Sequence, residues 1–454
     1  MPESVRVQVI SAARCALTAG LVALGIILIA APIAAQTSAA KPAGDAAFAV
    51  RIDSVLDLAT VIARTLAVSP GVASGEAGLR NARSESRVAE GAFIPSLTAS
   101  SSALRSDVLS TALPGTSGAN SYSAGVSSSV ELFTGGRRGA DRARSHADLD
   151  VAVATDVSQR YQTTLIAERA FYEALRGEDL VAVAEARVAR AERGVRYAQD
   201  RVRAGTATKS DELRARLEMT SGRQQALAAR DTLQAAAFAL GRLVGTDGPV
   251  GARRPASLDP RPLALSDSEV VRLAINAAPS VQAAEAAARA ARAATSSSRA
   301  QYYPDVRVIG GYNWATQSAI VGAVRPGWQL ALATSFPLFN GFQREDAVTR
   351  SESAAEVTRV IALDATRLVR TESARLLSAL RFAEQNISLA DEAVTAAQED
   401  LRVVTERYRA GIATSLDQLS SELALTQAER GLVSARYGYQ ITRATLEALV
   451  GRTL

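Results

Sequence analysis

Residues able to do covalent or metal chemistry are nearly missing from this chain. It has one histidine, His146, and one cysteine, Cys15, in 454 residues. A metal site needs several His, Cys or carboxylate ligands, and a weak nucleophile needs a base beside it. A single His supplies neither. No Gly-rich loop ending in Lys is present to cradle a phosphate. Paired carboxylates can act without His, but they need a cleft, and the helix and hairpin pattern described below implies none. The expectation is therefore no catalytic residue, no cofactor and no metal. The informative polar residues lie at two turns: Ser210 and Asp211 follow Gly205, and Asp417 follows Gly411. A carboxylate in the first turn of a helix complements the helix dipole. A ring of carboxylates in an oligomer would instead attract cations. Residue types alone leave both readings open.

The two turns belong to a duplication. Asp200-Arg201-Val202-Arg203-Ala204-Gly205-Thr206 corresponds to Glu406-Arg407-Tyr408-Arg409-Ala410-Gly411-Ile412, an offset of 206 residues. The same offset pairs Leu132-Phe133-Thr134-Gly135 with Leu338-Phe339-Asn340-Gly341, and Leu243-Val244-Gly245 with Leu449-Val450-Gly451. Nearer the repeat starts the offset grows slightly, pairing Pro70 with Pro279 and Pro95 with Pro304. Register kept over half a chain identifies one unit written twice.

Each copy has the same order of elements. Residues 267–300 are Ala- and Arg-rich with helical spacing, and 303–316 then switches to period two. Val306, Val308, Gly310, Tyr312 and Trp314 fall on one face of that strand. After a turn-rich stretch, Trp328, Leu330, Leu332, Phe336 and Leu338 fall on one face of the return strand. In the first copy Tyr122, Ala124, Val126, Val130 and Leu132 alternate, but 96–103 is mostly Ser, Thr and Ala, so the duplication carries that assignment. A hairpin with one greasy and one small or polar face suits a transmembrane barrel, with Tyr122, Tyr312, Trp314 and Trp328 at the membrane interface. Residues 109–120 and 317–326 interrupt the strands and are expected to face the cell exterior. Each hairpin is followed by a proline-free helical stretch, 137–203 and 343–409, then an Arg-Ala-Gly turn and a second helix of about 35 residues.

The bulk composition agrees. Alanine dominates and aromatics are only 5 %, which suits long helices packed closely side by side. The 51 basic and 46 acidic residues are interspersed. Arg187, Arg190, Arg193 and Arg196 recur at helical spacing, but Glu192 breaks the run and Glu185 and Asp200 flank it. They read as a solvated helix face, against a nucleic-acid partner. Residues 1–35 look like a secretory signal, with Arg6 and Arg14 before an apolar run and small residues leading to Ala34-Ala35-Gln36; a retained anchor is the alternative. Cys15 precedes that run, so cleavage would leave no cysteine. Beyond residue 35 no stretch is long and apolar enough for a spanning helix, so any further crossing would use β-strands.

Four strands cannot close a membrane barrel, which needs about eight or more, and an open edge in lipid is prohibitive. The chain is expected to oligomerise, two copies giving eight strands and three giving twelve.

Over residues 50–454 the chain resembles the TolC-like outer-membrane efflux family. The resemblance rests on Pro95 and Pro304 opening the hairpins, the Leu-Phe-x-Gly exits at Leu132 and Leu338, the Arg-Ala-Gly tips and the Val-Gly repeat ends. It implies an α+β fold, a duplicated long α-hairpin plus transmembrane β-hairpin, in a homotrimer with a 12-stranded β-barrel and a 12-helix periplasmic tunnel. The corresponding segments are a signal at 1–35, repeats at 36–245 and 267–454, and a connector at 246–266, which with 36–55 would form an equatorial belt. The implied function is an outer-membrane exit duct for efflux or type I secretion, working with a periplasmic adaptor and an inner-membrane pump. A periplasmic coiled-coil adaptor or scaffold is the competing reading, and it leaves two β-hairpins without a partner. Asp417 matches a gate carboxylate of the family and Tyr408 a tyrosine that holds the closed tip, with Ser210 and Asp211 the pair such a latch engages. Ser420 and Ala413 depart from the family pattern. Ala204, Gly205, Thr206, Ala410, Gly411 and Ile412 are the expected adaptor-contact tips.

Overall fold

The computed structural model describes residues 54–106, 119–261, 263–316 and 324–454. The leader at 1–35, nearly all of the 36–55 belt segment and most of the 109–120 and 317–326 loops lie outside the described residues. The chain runs β1 (Ser54–Leu56), α1 (Leu58–Val68), α2 (Pro70–Gly91), β2 (Ser96–Ser106), β3 (Ala119–Phe133), α3 (Arg137–Arg203) and α4 (Lys209–Leu243). The second copy follows as β4 (Val250–Ala252), α5 (Asp267–Ala277), α6 (Pro279–Arg299), β5 (Asp305–Thr316), β6 (Val324–Ser335), α7 (Gln343–Arg409) and α8 (Ser415–Val450).

The long helices α3 and α7 have 67 residues each, roughly 100 Å at ~1.5 Å per residue. Neither holds a proline. Along α7 Glu356–Arg359, Glu372–Arg375, Glu399–Arg402 and Glu406–Arg409 form ion pairs three residues apart. Exposed to water, these pairs give only local helix support. Both helices stop the same way. Gly205 and Gly411 take φ of 74° and 78°. The following amides reach back, Thr206 N–H to Arg201 O at 2.9 Å and Ile412 N–H to Arg407 O at 2.8 Å. This Schellman closure satisfies the last carbonyls and favours glycine at the left-handed position.

The 267–300 stretch is two helices, not one. Pro279 lacks the N–H that would continue α5 and biases Ala278 to extended backbone, ψ 124°, so the helix restarts with proline at its first position. Pro70 does the same between α1 and α2.

The four long strands form one antiparallel sheet in the order β2-β3-β5-β6. Val126 pairs with Tyr312, and Tyr312 with Trp328; Val130 pairs with Val308, and Val308 with Leu332. One face therefore carries the apolar side chains of both hairpins, and it is open: Trp328 is 78 % exposed, Leu330 70 % and Leu332 68 %. The opposite face holds Ser96, Ser129, Ser102, Ser123 and Asn313. Strand β6 ends at Ser335, so Phe336 and Leu338, expected on it, lie in the exit turn.

The connector contributes β4, which pairs in parallel with β1, Val55 opposite Gly251. Two larger cores lie among the helices, and the first includes residues of β4. Val61, Phe171, Leu175, Leu240, Val250 and Tyr437 form the first; Val270, Val281, Val369, Leu376, Tyr439 and Leu446 form the second. Tyr437 and Tyr439 of α8 thus serve one core each. At the end of α4, a Cβ on Gly241 would overlap the Gly248 carbonyl oxygen. Gly241→Ala is expected to push out the turn leading to β4 and cost about 1–3 kcal/mol, read as a lowered denaturant midpoint.

Candidate functional site

The two helix-hairpin tips lie against each other and are built alike. Thr208 caps α4 and Thr414 caps α8, each in a reciprocal capping box. Asp211 Oδ2 accepts the Thr208 N–H at 3.0 Å and its hydroxyl at 2.8 Å. Asp417 Oδ2 accepts the corresponding groups of Thr414, both at 2.8 Å. Local sequence thus puts a carboxylate three residues into each helix, where it satisfies the free amides.

The two carboxylates then diverge. Asp211 Oδ1 accepts the Ser415 hydroxyl at 2.7 Å, tying the first tip to the second. The Ser415 and Thr208 hydroxyls hold the Asp211 carboxyl below the usual range. Asp417 is exposed, and its Oδ1 has no hydrogen-bond partner among the described residues. The Thr414 amide and hydroxyl, with Arg407 beyond them, keep its carboxyl ionised to lower pH. In one protomer, then, capping favours the charged form of Asp417, opposite to the suppression expected from a ring of like charges.

Tyr408 is buried, 5 % exposed. It and Asp211 line one cavity of about 60 Å³ with Ser415 and Gln418. Its ring lies under Arg201, whose Cζ is 4.6 Å from the centroid, and Arg201 Nη1 also donates to Tyr408 O at 3.1 Å. A second pair mirrors the first: the Arg409 Cζ lies 4.8 Å from the Tyr197 centroid, and Arg409 donates to the Tyr197 hydroxyl. Four residues not expected from sequence, Arg201, Ser415, Tyr197 and Arg409, therefore make the contacts between tips. Their only sequence signal is position, within a helical turn or two of the Arg-Ala-Gly turn. Ser210 is exposed and makes no side-chain hydrogen bond among the described residues. Ala204, Gly205, Thr206, Ala410, Gly411 and Ile412 are all exposed at the tip.

Deeper in the bundle the arginine run departs from expectation. Arg187 is only 6 % exposed; its Nε donates to Glu218 Oε1 at 2.9 Å and a terminal nitrogen meets Gln225. Arg190 makes a two-pronged pair with Glu429, at 3.3 and 2.9 Å, and reaches Thr426. These arginines face inward because α4 and α8 pack on that side of α3. Arg187 and Arg190 thus join three helices and are not a solvated face. Beside them, burial and the Glu218 charge push the Glu422 carboxyl up, against a hydrogen bond from Gln418 and the two arginines.

At the sheet, Tyr122, Tyr312, Trp314 and Trp328 cluster toward the loop end of the apolar face, with Tyr312 and Trp314 centroids 4.7 Å apart. A second exposed aromatic group, of which the alternating sequence pattern picked out only Phe336, rims the helix end: Phe93, Tyr302, Tyr303, Phe336, Phe339 and Phe342. Arg138 lies over Phe93 and Arg344 over Tyr302. Among the described residues no cluster of His, Cys, Asp or Glu could hold a metal; His146 Nε2 lies 3.5 Å from Glu90.

The outer membrane efflux protein family model matches residues 61–246 and 270–452. The cobalt-zinc-cadmium resistance protein CzcC of Cupriavidus metallidurans is 26 % identical over 326 residues, 71 % of this chain and 76 % of that protein. Among solved structures, the outer membrane protein VceC of Vibrio cholerae superposes with a TM-score of 0.75 at 21 % identity, covering 87 % of this chain and 96 % of VceC. The open state of the Neisseria gonorrhoeae MtrE outer membrane channel gives 0.72 at 22 % identity, covering 87 % and 89 %. Both copies of the duplicated unit fall within the matched spans, and the chain belongs to the outer membrane efflux protein family.

Proposed function

We propose that three copies of this chain form a passive exit duct through the outer membrane, with the four long helices of each copy lining a periplasmic tunnel. The observation that carries this reading is the four-stranded sheet with one exposed apolar face and a small, hydroxyl-rich opposite face. Strands β2 and β6 end that sheet on either side. In lipid their free ladder groups must pair, and another copy's edge supplies the same geometry. Eight strands would leave an interior just wide enough for side chains; twelve leave a bore, which suits serine-lined walls.

The two aromatic groups support the depth. Tyr303 to Tyr312 spans nine residues, roughly 30 Å along a strand at ~3.3 Å per residue. At a tilt of about 40° that is roughly 23 Å of depth, close to the ~25 Å apolar band of such barrels. The first 35 residues direct export in this reading, and the 109–120 and 317–326 loops face outward.

The duct works with a periplasmic adaptor, docked on the exposed tips, and an inner-membrane pump that supplies the energy. The metal-resistance name of the CzcC relative favours metal cations as cargo. Asp417 contributes one carboxylate per copy to a ring at the narrow end, while Tyr408 and Asp211 lie at the contacts between tips and Ser210, exposed within one copy, is placed to meet a neighbouring copy. Native mass measurement in mild detergent should give three chains, and the same material should conduct ions in planar bilayers. A monomer or dimer would remove the twelve-stranded duct.

A further inference from the structure

Between α3, α8, the connector and the start of α1 lies a cleft of about 300 Å³. Glu168 of α3 opens into it, half-buried, and makes no hydrogen bond or ion pair among the described residues. The charged and titratable groups facing it are Tyr172 from α3, Asp259 and Arg261 from the connector, and Arg443 and Glu447 from α8. The α1 wall is Leu58.

Opposite Glu168, the connector is strapped to α8. Gln440 Nε2 donates to Leu258 O at 3.1 Å, Tyr439 Oη to Arg261 O at 2.7 Å, and Arg443 Nη1 to the same Arg261 O at 3.2 Å. Arg443 is aimed by Glu447, whose Oε1 accepts its Nε at 3.2 Å and the Leu454 N–H at 3.3 Å. The Arg443 bond of the strap is therefore set by Glu447, with the Leu454 carbonyl as a second acceptor for Arg443, and Glu168, which feels the Glu447 charge, has no partner of its own among the described residues.

We propose that this cleft is a pH-sensitive joint, in which ionisation of Glu168 opposes Glu447 and loosens the Arg443 hold on the connector. While Glu168 carries its proton, Glu447 stays with Arg443, and Arg443 with the Arg261 carbonyl. Once ionised, Glu168 repels Glu447 and competes for Arg443, so the strap loses its Arg443 bond and is left on Tyr439 and Gln440. Burial first, then the Glu447 charge, raises the Glu168 carboxyl to about 7. The sign follows: the folded state holds this proton where the unfolded chain has lost it. The contribution is fully present below the ordinary glutamate range and is lost as pH rises through about 7. The joint adjoins β4 and both cores, so it bears on how firmly the belt grips the long helices.

Thiol labelling of a cysteine placed at Leu258 (Leu258→Cys), which packs against the first core, tests this in the full-length protein in detergent, read by peptide mass and corrected for the pH dependence of thiolate formation. Between pH 6 and pH 8 the otherwise wild-type chain should lose about tenfold in protection from labelling, one pK unit of linkage corresponding to a factor of ten. Glu168→Gln, which keeps the shape and removes the charge, should remain protected and flat across that range. Glu168→Asp should retain a pH-dependent loss, which a merely structural role for the side chain would not give. Equal pH profiles for wild type and Glu168→Gln overturn the proposal, as does a flat wild-type profile. Oligomer mass, measured on the same samples, reports separately on the duct.

Discussion

Glu218→Ala should lower the stability of the folded chain by about 3–5 kcal/mol, the range for removing one partner of a buried ion pair. The Arg187 and Glu218 side chains are 7 % and 14 % exposed, so water does not replace the lost carboxylate. The loss should be read as a shift in denaturant midpoint with unchanged slope. Replacing both groups, as Arg187→Met with Glu218→Leu, should recover most of it, because no uncompensated charge then remains. If the single variant costs no more than a surface pair, about 0–1 kcal/mol, the arginine is not buried as described. The same seam carries the Arg190–Glu429 pair between the two repeats, so its packing also sets the register of α3 against α8.

Arg201→Ala should raise the resting conductance of the channel more than any other single change at the tip. It removes a cation–π contact, about 0.5–2 kcal/mol, and a charge-assisted hydrogen bond to Tyr408 O, about 1.5–3 kcal/mol. At ~1.4 kcal/mol per factor of ten, that is roughly one and a half to three and a half decades in the open-to-closed ratio, provided these contacts form only in the closed state. Tyr408→Ala should act in the same direction. Ser415→Ala, which costs one hydrogen bond to Asp211, should have a smaller effect. Asp417→Asn separates the roles of the remaining carboxylate. Capping by so exposed a carboxylate is screened by water, so stability should hardly change, while block by multivalent cations in planar bilayers should be lost. Unchanged block in Asp417→Asn would leave that residue with its capping role alone. Wild-type conductance in Arg201→Ala would show that the Arg–Tyr contacts persist in both states.

Much of the architecture was legible because it is periodic and repeated. Hydrophobic alternation in 303–316, the proline-free runs and the offset of 206 residues between Gly205 and Gly411 specify strands, helices and turns through local geometry alone. The long helices agree with 137–203 and 343–409 for that reason: their ends are set by glycines whose positive φ is a property of the chain itself. The breaks at Ala278 and Ser69 were equally local, since proline dictates them, but the reading of 267–300 by composition and helical spacing ran across Ala278.

Contacts between elements distant in sequence came only from the tertiary structure. Nothing local separates Arg187 and Arg190, turned inward against α4 and α8, from Arg193 and Arg196 of the same run; the packing direction of α3 decides which side is buried. Asp211 and Asp417 occupy the same position in the repeat and the same capping box, yet only Asp211 bonds the other copy, because Ser415 stands opposite it. The second aromatic group was invisible as a group for a related reason: Phe93, Tyr302 and Phe336 lie in three separate turns, and only the sheet gathers them at one level. Glu168 and Glu447 are far apart in the chain, and their opposition depends on how α3 and α8 pack. What this protein determined from its own sequence was the repeating unit and the greasy face that demands lipid. Which charges are buried, which tips touch and which carboxylates confront each other are properties of packing, since burial and Coulomb energy depend on neighbours that the local pattern does not name.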